Sequence, residues 1–489
     1  MKNTFLAIDL GTDRCRAVIG ELIDGILGLK EIHSFENEPL ITDEQGYWNI
    51  ELIFQEIKKS LSILADRDIP IESIGITTWG NDFSLLAVDG QLINPFIRNN
   101  LTQNDSVEAF TKKMSPEKIY GQTGVLISQN NSLFQIYALR QIGYEPLKKA
   151  KSLLFMPDIF NYLLTGIIQT EFSIASTSQL YNPVKRMWDH DILRTVGIPV
   201  GIMPHIAESG STIGSVSNNV SYETGIARIP VVTVAALNSS SAIAALPAQG
   251  NNWAFITTGK ECQVGFESPL PMITKKSQQF NFTNEGGAGH TFHIRKIVTG
   301  LLLFQECHKA WNGSNYSFEE MVKLANTATP FSCFIDTDHA SILESNDIPK
   351  AIADYCTSTN QKVPETHGEI IRAIIESVVF KFRIAIDQIE TLRGLRPEVI
   401  YVTGESPDLA VLNQFTANCC GIPVIETIAE ATRVGNIMVQ ALALGIVKNI
   451  AEIREITGKS FSATTFIPLD TEAWNVAFGM YIKTLNQEF

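Results

Sequence analysis

The sequence of 489 residues is short of cysteine, of net positive charge and of long apolar runs. Its seven cysteines are an odd number without paired C-x-x-C spacing, which argues against a disulfide framework or a structural zinc site. With 38 Lys and Arg against 52 Asp and Glu, the net charge of −14 repels nucleic acid and anionic lipid. No apolar run approaches the roughly 20 residues of a membrane span. These absences leave a small-molecule partner as the expectation.

The sequence also predicts the cellular compartment of the protein. Most of the cysteines are expected to be buried small side chains in a reducing compartment. The N-terminus reaches the acidic Asp9 without the apolar core of a signal peptide. We therefore expect a cytoplasmic protein, a monomer or a homodimer, without nucleic-acid or membrane partners.

Length and hydrophobic pattern predict two α/β halves, because 489 residues exceed one ordinary core. Apolar strands ending in Gly, Thr or Asp turns are predicted at 5–12, 71–82, 253–260 and 399–404. Amphipathic helices are predicted over 50–64 and 370–392. Turn-forming residues from Pro247 to Asn252 mark the boundary. We expect an N-terminal domain at 1–248 and a C-terminal domain at 249–489, facing a cleft.

The first strand ends in a segment, Asp9-Leu10-Gly11-Thr12, that is suited to phosphate. Gly11 lets backbone amides approach a phosphate, Thr12 can donate its hydroxyl, and Asp9 can hold Mg²⁺ through water. Arg16 adds a cation for phosphoryl oxygens. The alternative is a plain β-turn, which the same residue types also form.

Further segments make the chain resemble the FGGY family of carbohydrate kinases, which has the two-domain α/β sugar-kinase/Hsp70/actin (ribonuclease H-like) fold. The resemblance is strongest to the rhamnulokinase branch of that family. The matching segments run in order along nearly the whole chain, at 9–12, 78–83, 156–166, 175–180, 284–288 and 430–441.

The resemblance implies transfer of the γ-phosphoryl group of ATP, with Mg²⁺, to a hydroxyl of a sugar, a ketose such as L-rhamnulose, in an interdomain cleft. It places sugar binding in the N-terminal domain and nucleotide binding in the C-terminal domain. The implied catalytic residues are Asn238 and Asp9, with Asp9 also at the metal. The implied phosphate and ATP residues are Gly11, Thr12, Arg16, Gly259, Lys260, Gly404, Glu405 and Asn436. The implied sugar residues are Gly80, Asp82, Leu237, Ser239 and Gln305.

Departures from the family pattern fall on positions that carry chemistry. Where the family has an Asp that takes the proton of the attacking hydroxyl, this chain has Asn238, which cannot accept a proton at neutral pH. In the glycine-rich nucleotide loop, Glu405 adds bulk and a carboxylate that repels a triphosphate. Lys260 either contacts phosphate oxygens or is a solvated turn residue. A segment that usually carries an Asp and an Arg reads Arg98-Asn99-Asn100-Leu101.

Several assignments therefore have alternatives. The protein is either an active sugar kinase, a kinase-like protein that binds sugar or nucleotide without efficient turnover, or a kinase with another phosphoryl donor. Asp82 binds sugar or caps the end of its strand, with Trp79 beside it in the core. Asn238 can also be the N-cap of the following helix. Arg433 and Asn436 contact nucleotide, or serve as a surface cation and a helix cap.

Overall fold

The structure is a computed structural model that describes residues 2–42, 45–93, 104–259, 261–311, 316–404 and 410–485. Its internal contacts divide the chain into two compact units. The first unit comprises Met1–Pro247, Glu267–Ile294 and Glu430–Phe461, and the second comprises Ala248–Phe266, Arg295–Ala429 and Ser462–Phe489. The first unit is thus built from three separate stretches of chain.

Strands and helices alternate along the described residues. The strands are β1 Lys2–Leu10, β2 Arg14–Ile23, β3 Ile26–Glu36, β4 Leu40–Thr42, β5 Gln45–Tyr47, β6 Ser73–Thr77, β7 Phe83–Ala87, β8 Leu92–Ile93, β9 Ala150–Phe155, β10 Thr170–Glu171, β11 Tyr181–Asn182, β12 Met187–Trp188, β13 Ile206–Ala207, β14 Ser211–Ser215, β15 Pro230–Thr233, β16 Trp253–Thr258, β17 Glu261–Ser268, β18 Thr283–Gly286, β19 Phe292–Thr299, β20 Val399–Gly404, β21 Val424–Glu426 and β22 Thr464–Phe466. The helices are α1 Ile50–Asp66, α2 Asn104–Thr111, α3 Pro116–Thr123, α4 Ser132–Gln141, α5 Glu145–Lys149, α6 Met156–Thr165, α7 Phe172–Thr177, α8 His190–Val196, α9 Asn218–Thr224, α10 Asn238–Ala244, α11 Lys275–Gln279, α12 Leu302–Ala310, α13 Phe318–Thr327, α14 Ala340–Leu343, α15 Ile348–Ser358, α16 His367–Arg393, α17 Ala410–Cys420, α18 Ala431–Ala443, α19 Ile450–Ser460 and α20 Thr471–Thr484.

A six-stranded mixed sheet organises the first unit, in the order β14-β15-β6-β1-β2-β3. β1 and β2 form an antiparallel hairpin, with Leu10 opposite Cys15 and Asp9 opposite Arg16. β1, β6 and β15 run parallel to one another, so their carboxyl ends lie at one edge of the sheet. Parallel strands joined by helices place polar residues at that edge, where α/β proteins bind their ligands.

Both faces of this sheet are covered by helices. The predicted amphipathic helix over 50–64 is confirmed as α1, whose apolar side packs into the core with α6 and with Ile74 and Ile76 of β6. Gly75, between these two residues, points to the other face, where its missing Cβ makes room for Asn436 and Gln440 of α18. The alternation along β6 thus builds a three-layer unit whose second helical layer comes from near the end of the chain.

A seven-stranded sheet has the order β18-β19-β17-β16-β20-β21-β22. The strands predicted at 253–260 and 399–404 are confirmed as β16 and β20, which pair in parallel from Trp253–Val399 to Thr258–Gly404. The helix predicted over 370–392 is confirmed as α16, which begins with a capping box at Thr366 and Glu369 and ends at Gly394 in the left-handed conformation.

In the first unit, α10 and α18 approach each other closely at Gly435. A Cβ on Gly435 would lie 1.8 Å from the carbonyl oxygen of Ser241. We expect Gly435→Ala to lower the free energy of unfolding by about 1–3 kcal/mol or more, because the two backbones must move apart. Urea unfolding measures this difference.

The matched control for Gly435→Ala is Gly479→Ala, at an exposed helical glycine in α20 where a Cβ meets no atom within 4 Å. That change is expected to raise stability by up to about 1 kcal/mol, through helix propensity alone. Equal effects of the two substitutions would contradict the close approach at Gly435.

The structure also bears on the cysteines and on the apolar runs. All seven cysteines are buried free thiols, which confirms the expectation of small buried side chains. None of the helices in the described part of the chain combines the length and the apolar character that a membrane crossing requires.

Candidate active site

Three segments of the first unit converge at the carboxyl edge of β1, β6 and β15. Thr78, just after β6, donates its N–H to the carbonyl of Ala236 at 2.8 Å and accepts the N–H of Asn238 at 3.0 Å. The Nδ2 of Asn238 donates to the carbonyl of Leu10 at 3.2 Å. These bonds bring Asn238 to the end of β1, beside the segment that begins at Asp9.

Asn238 is the first residue of α10, and the capping position is Leu237. The interpretation of Asn238 as the N-cap is therefore wrong by one residue. Because its Nδ2 is held by Leu10, the side chain has a fixed orientation. Its Oδ1 is buried, and no described residue hydrogen-bonds to it. This oxygen can accept a hydrogen bond but, as part of an amide, cannot take up a proton.

Other residues predicted to contact sugar lie around Asn238. Leu237 is buried and Ser239 is half-buried. A Cβ on Gly80 would lie 3.2 Å from Cδ1 of Leu237. Asn81, the next residue, has a φ of 74°, a left-handed conformation that is uncommon outside glycine and recurs in functional turns. The structure thus brings Gly80, Leu237, Asn238 and Ser239 together.

Asp9 forms an ion pair inside the protein. Its Oδ2 accepts from Nη1 of Arg433 at 2.5 Å, and its Oδ1 has the hydroxyl of Thr77 at 3.4 Å. Arg433 is only 1% exposed, and its Nε also donates to the carboxylate of Glu430. The prediction of Arg433 as a surface cation is therefore wrong, since α18 carries this residue into the carboxyl edge of the sheet.

Asn436, one turn further along α18, is fully buried. Its Oδ1 accepts from Nε2 of Gln440 at 2.7 Å, and it packs against Gly75 of β6. Asn436 lies inside the helix and does not cap it, since α18 begins at Ala431. The structure therefore separates Asn436, on the face of the sheet, from Arg433, at its edge.

The phosphate segment itself is the turn of the β1–β2 hairpin. The N–H of Gly11 donates to the carbonyl of Arg14 at 3.1 Å, and a Cβ on Gly11 would lie 2.5 Å from that oxygen. Thr12 is exposed and lines a cleft of about 530 Å³ with Asn37 and Trp48. Arg16 lies between Glu31 and Glu430, at 3.8 and 3.7 Å. Gly11 is needed for the tight turn, and Thr12 is open to a ligand.

Asp82 is buried and holds two tryptophans. Its Oδ2 accepts from Nε1 of Trp48 and from Nε1 of Trp79, both at 2.8 Å. The two indoles contact each other with ring centroids 4.4 Å apart. The prediction of Trp79 as a core residue is confirmed, since it is 7% exposed. Asp82 thus orients Trp48, which forms one wall of the cleft beside Thr12.

Replacing Asp82 with alanine is expected to lower the free energy of unfolding by about 2–4 kcal/mol, because two buried indole N–H groups lose their acceptor. Asp82→Asn keeps one acceptor oxygen and should lower the free energy of unfolding by about half as much. Urea unfolding, with tryptophan fluorescence as the second signal, measures both. Wild-type stability in Asp82→Ala would show that the indoles find other acceptors.

Glu171 was not singled out by sequence analysis. This residue holds the backbone just before Asn238 in place, directly and through Ser173. Its carboxylate accepts from the hydroxyl of Ser173 at 2.5 Å and from the N–H of Ala236 at 3.2 Å. Ser173 in turn accepts the N–H of Leu237 at 3.1 Å. Burial raises the pKa of the Glu171 carboxyl. A Glu two residues before a Ser carries no motif, so only the fold reveals this support.

The remaining predicted residues belong to the second unit or lie outside the described residues. Gly404 ends β20 opposite Thr258, and the carbonyl of Gly259 accepts the N–H of Leu301 at 3.2 Å. Gln305 is exposed on α12, where it lines an apolar cavity of about 250 Å³. Lys260, Glu405 and the segment 98–101 lie outside the described residues.

Comparison with known proteins decides the family. The N-terminal domain of the FGGY family of carbohydrate kinases matches residues 4–244, and its C-terminal domain matches residues 254–444. The chain belongs to the FGGY family of carbohydrate kinases. It is 37% identical over 482 residues to a rhamnulokinase of Bacteroides thetaiotaomicron, covering 98% of both chains. It is 31% identical to a rhamnulokinase of Lactiplantibacillus plantarum, covering 95% of each.

Solved structures show that this FGGY family member has the two-domain α/β sugar-kinase fold, as predicted. A gluconate kinase from Lactobacillus acidophilus superimposes with a TM-score of 0.83 over 99% of this chain and 98% of that one, at 17% identity. A xylulose kinase from the same organism gives a TM-score of 0.84 with the same coverage and identity.

FGGY carbohydrate kinases use ATP as co-substrate, typically with a divalent metal ion. Asp9 is the residue expected to hold that ion, but its carboxylate does not fit the task. Both of its oxygens already have donors, one of them the buried guanidinium of Arg433. Among the described residues, no group of three or more His, Cys, Asp or Glu side chains is arranged for a metal. Metal carried in with ATP would need no such cluster, because Mg²⁺ keeps its waters and phosphate ligands.

Proposed function

We propose that this FGGY family member transfers the γ-phosphoryl group of ATP to a hydroxyl of a ketose such as L-rhamnulose. The observation that carries the proposal is the alignment with the rhamnulokinase of Bacteroides thetaiotaomicron, which covers 98% of both chains. No domain-sized part of that relative is therefore without a counterpart here. We assign sugar binding to residues 1–248 and nucleotide binding to residues 249–489.

Asn238 determines how fast this reaction can be. Asn238 is half-buried at the carboxyl edge of the sheet, and its amide can orient the attacking hydroxyl through a hydrogen bond but cannot remove the proton. Phosphoryl transfer depends mainly on positioning and on stabilising charge, and less on a base. A general base contributes about 10²–10⁴ in rate. We therefore infer a slow kinase, in which the attacking hydroxyl transfers its proton to water.

A second candidate is a kinase-like protein that binds sugar or nucleotide without efficient turnover. Two observations favour it. The base position holds an amide, and the Asp9 carboxylate is occupied by Arg433. Together these remove both functions that Asp residues serve in the family pattern, proton acceptance and metal binding.

The test is sugar-dependent ADP release by purified protein with Mg·ATP and a panel of ketoses, with L-rhamnulose among them and a sugar-free reaction as control. We expect ADP release with L-rhamnulose at about 10²–10⁴ below the 1–100 s⁻¹ typical of kinases. Calorimetric binding of sugar or ATP without turnover would instead establish the second candidate. Turnover with GTP or pyrophosphate but not with ATP would assign another donor.

A further inference from the structure

The ion pair of Asp9 and Arg433 has a geometry that bears on metal binding. The Nη1 of Arg433 lies 2.5 Å from Oδ2 of Asp9, and the side chains are 1% and 11% exposed. The guanidinium therefore occupies the side of the carboxylate that a cation would approach. Direct coordination of Mg²⁺ needs an oxygen at about 2.0–2.1 Å in near-octahedral order, which leaves no space for the guanidinium beside Oδ2.

Other contacts hold the guanidinium in this place. Arg433 lies in the first turn of α18, and its Nε donates to Glu430, which precedes that helix. Thr432 beside it donates to the carbonyl of Asn238 at 3.3 Å, which ties the helix start to the carboxyl edge. An arginine cannot lose its proton in a protein. The charge opposite Asp9 is consequently permanent and does not depend on a recruited ion.

We propose that Arg433 is the resident cation at the end of β1, and that it excludes divalent metal from direct coordination by Asp9. Metal then reaches the phosphate segment only as part of a nucleotide complex. The Asp9 carboxylate serves to position Arg433. This proposal concerns the nucleotide-free protein. Its test does not depend on whether the protein has the proposed kinase activity.

The direct test is Mn²⁺ binding to the nucleotide-free protein, followed by the electron paramagnetic resonance signal of free Mn²⁺. The matched pair is the wild type and Asp9→Asn, which removes the charge of the carboxylate and keeps its shape. We expect identical Mn²⁺ binding curves for the two proteins. A Mn²⁺ site present in the wild type and lost in Asp9→Asn would overturn the proposal.

A second comparison tests whether Arg433 is the group that excludes the metal. Arg433→Ala should gain a Mn²⁺ site at least about tenfold tighter than any in the wild type. That site should vanish in the Asp9→Asn/Arg433→Ala double variant and stay absent in Arg433→Lys, which keeps the charge. A folded Arg433→Ala protein that gains no site contradicts the role given to Arg433. If Arg433→Ala does not fold, the comparison of wild type with Asp9→Asn still decides the proposal.

Discussion

Arg433→Ala is expected to lower the free energy of unfolding by about 3–5 kcal/mol, the usual cost of leaving one partner of a buried ion pair without the other. The reason lies in the surroundings of Asp9, whose side chain is 11% exposed and pairs with Arg433 at 2.5 Å. Without the guanidinium, the carboxylate must stay charged in a poorly solvated place or take up a proton. Urea unfolding of both proteins at neutral pH measures the difference.

A double variant serves as the control for this prediction. Asp9→Asn/Arg433→Met removes both charges while keeping volume, so it should regain most of the lost stability. Recovery of stability would show that the destabilisation in Arg433→Ala comes from the unpaired charge of Asp9 and not from lost packing. A loss below about 1 kcal/mol in Arg433→Ala would mean that water reaches Asp9 freely, as at surface pairs.

Asn238→Asp is expected to raise the rate of sugar-dependent ADP formation, by at most the about 10²–10⁴ that a general base contributes. The gain should approach the lower end of that range. In the wild type, Nδ2 donates to the carbonyl of Leu10 at 3.2 Å, and a carboxylate oxygen cannot make that bond. The new side chain must turn away from Leu10, so its position will be less well defined than that of the amide.

Two measurements identify the origin of such a gain. Asn238→Ala removes the amide without supplying a base, so it should not become faster. The gain in Asn238→Asp should fall as the pH is lowered, because only the ionised carboxylate accepts a proton. A rate increase in both variants, or one that is independent of pH, would assign the effect to a change of shape at the start of α10.

The strands and long helices could be predicted from the sequence because their signals are local. In β6, Ile74 and Ile76 are buried against α1, which is the alternation that predicts a strand. The helix α16 has a capping box at its start and a glycine at its end, so both ends can be predicted from the sequence. Each of these features depends on neighbours within a few residues, and the family resemblance added their order.

The candidate site was harder to predict because its contacts join distant residues. Asp9 and Arg433 are 424 positions apart, and the sequence offered Arg433 only as a nucleotide contact or a surface cation. Asp82 could be interpreted as a sugar ligand or a cap, since an acidic residue after a strand suits both. Its bond to Trp48, 34 positions earlier, appears only when the chain is folded.

The three-stretch construction of the first unit has a consequence for biosynthesis. β1 is among the first segments to be made, yet α18, which covers one face of β1 and β6, is among the last. Val434, Ile437 and Met438 of α18 are fully buried, so the sheet exposes apolar surface until they arrive. Synthesis proceeds at about 5–20 residues per second. The nascent first unit therefore waits for tens of seconds on the ribosome with an uncovered sheet face, and a chain that stops before residue 430 never completes it.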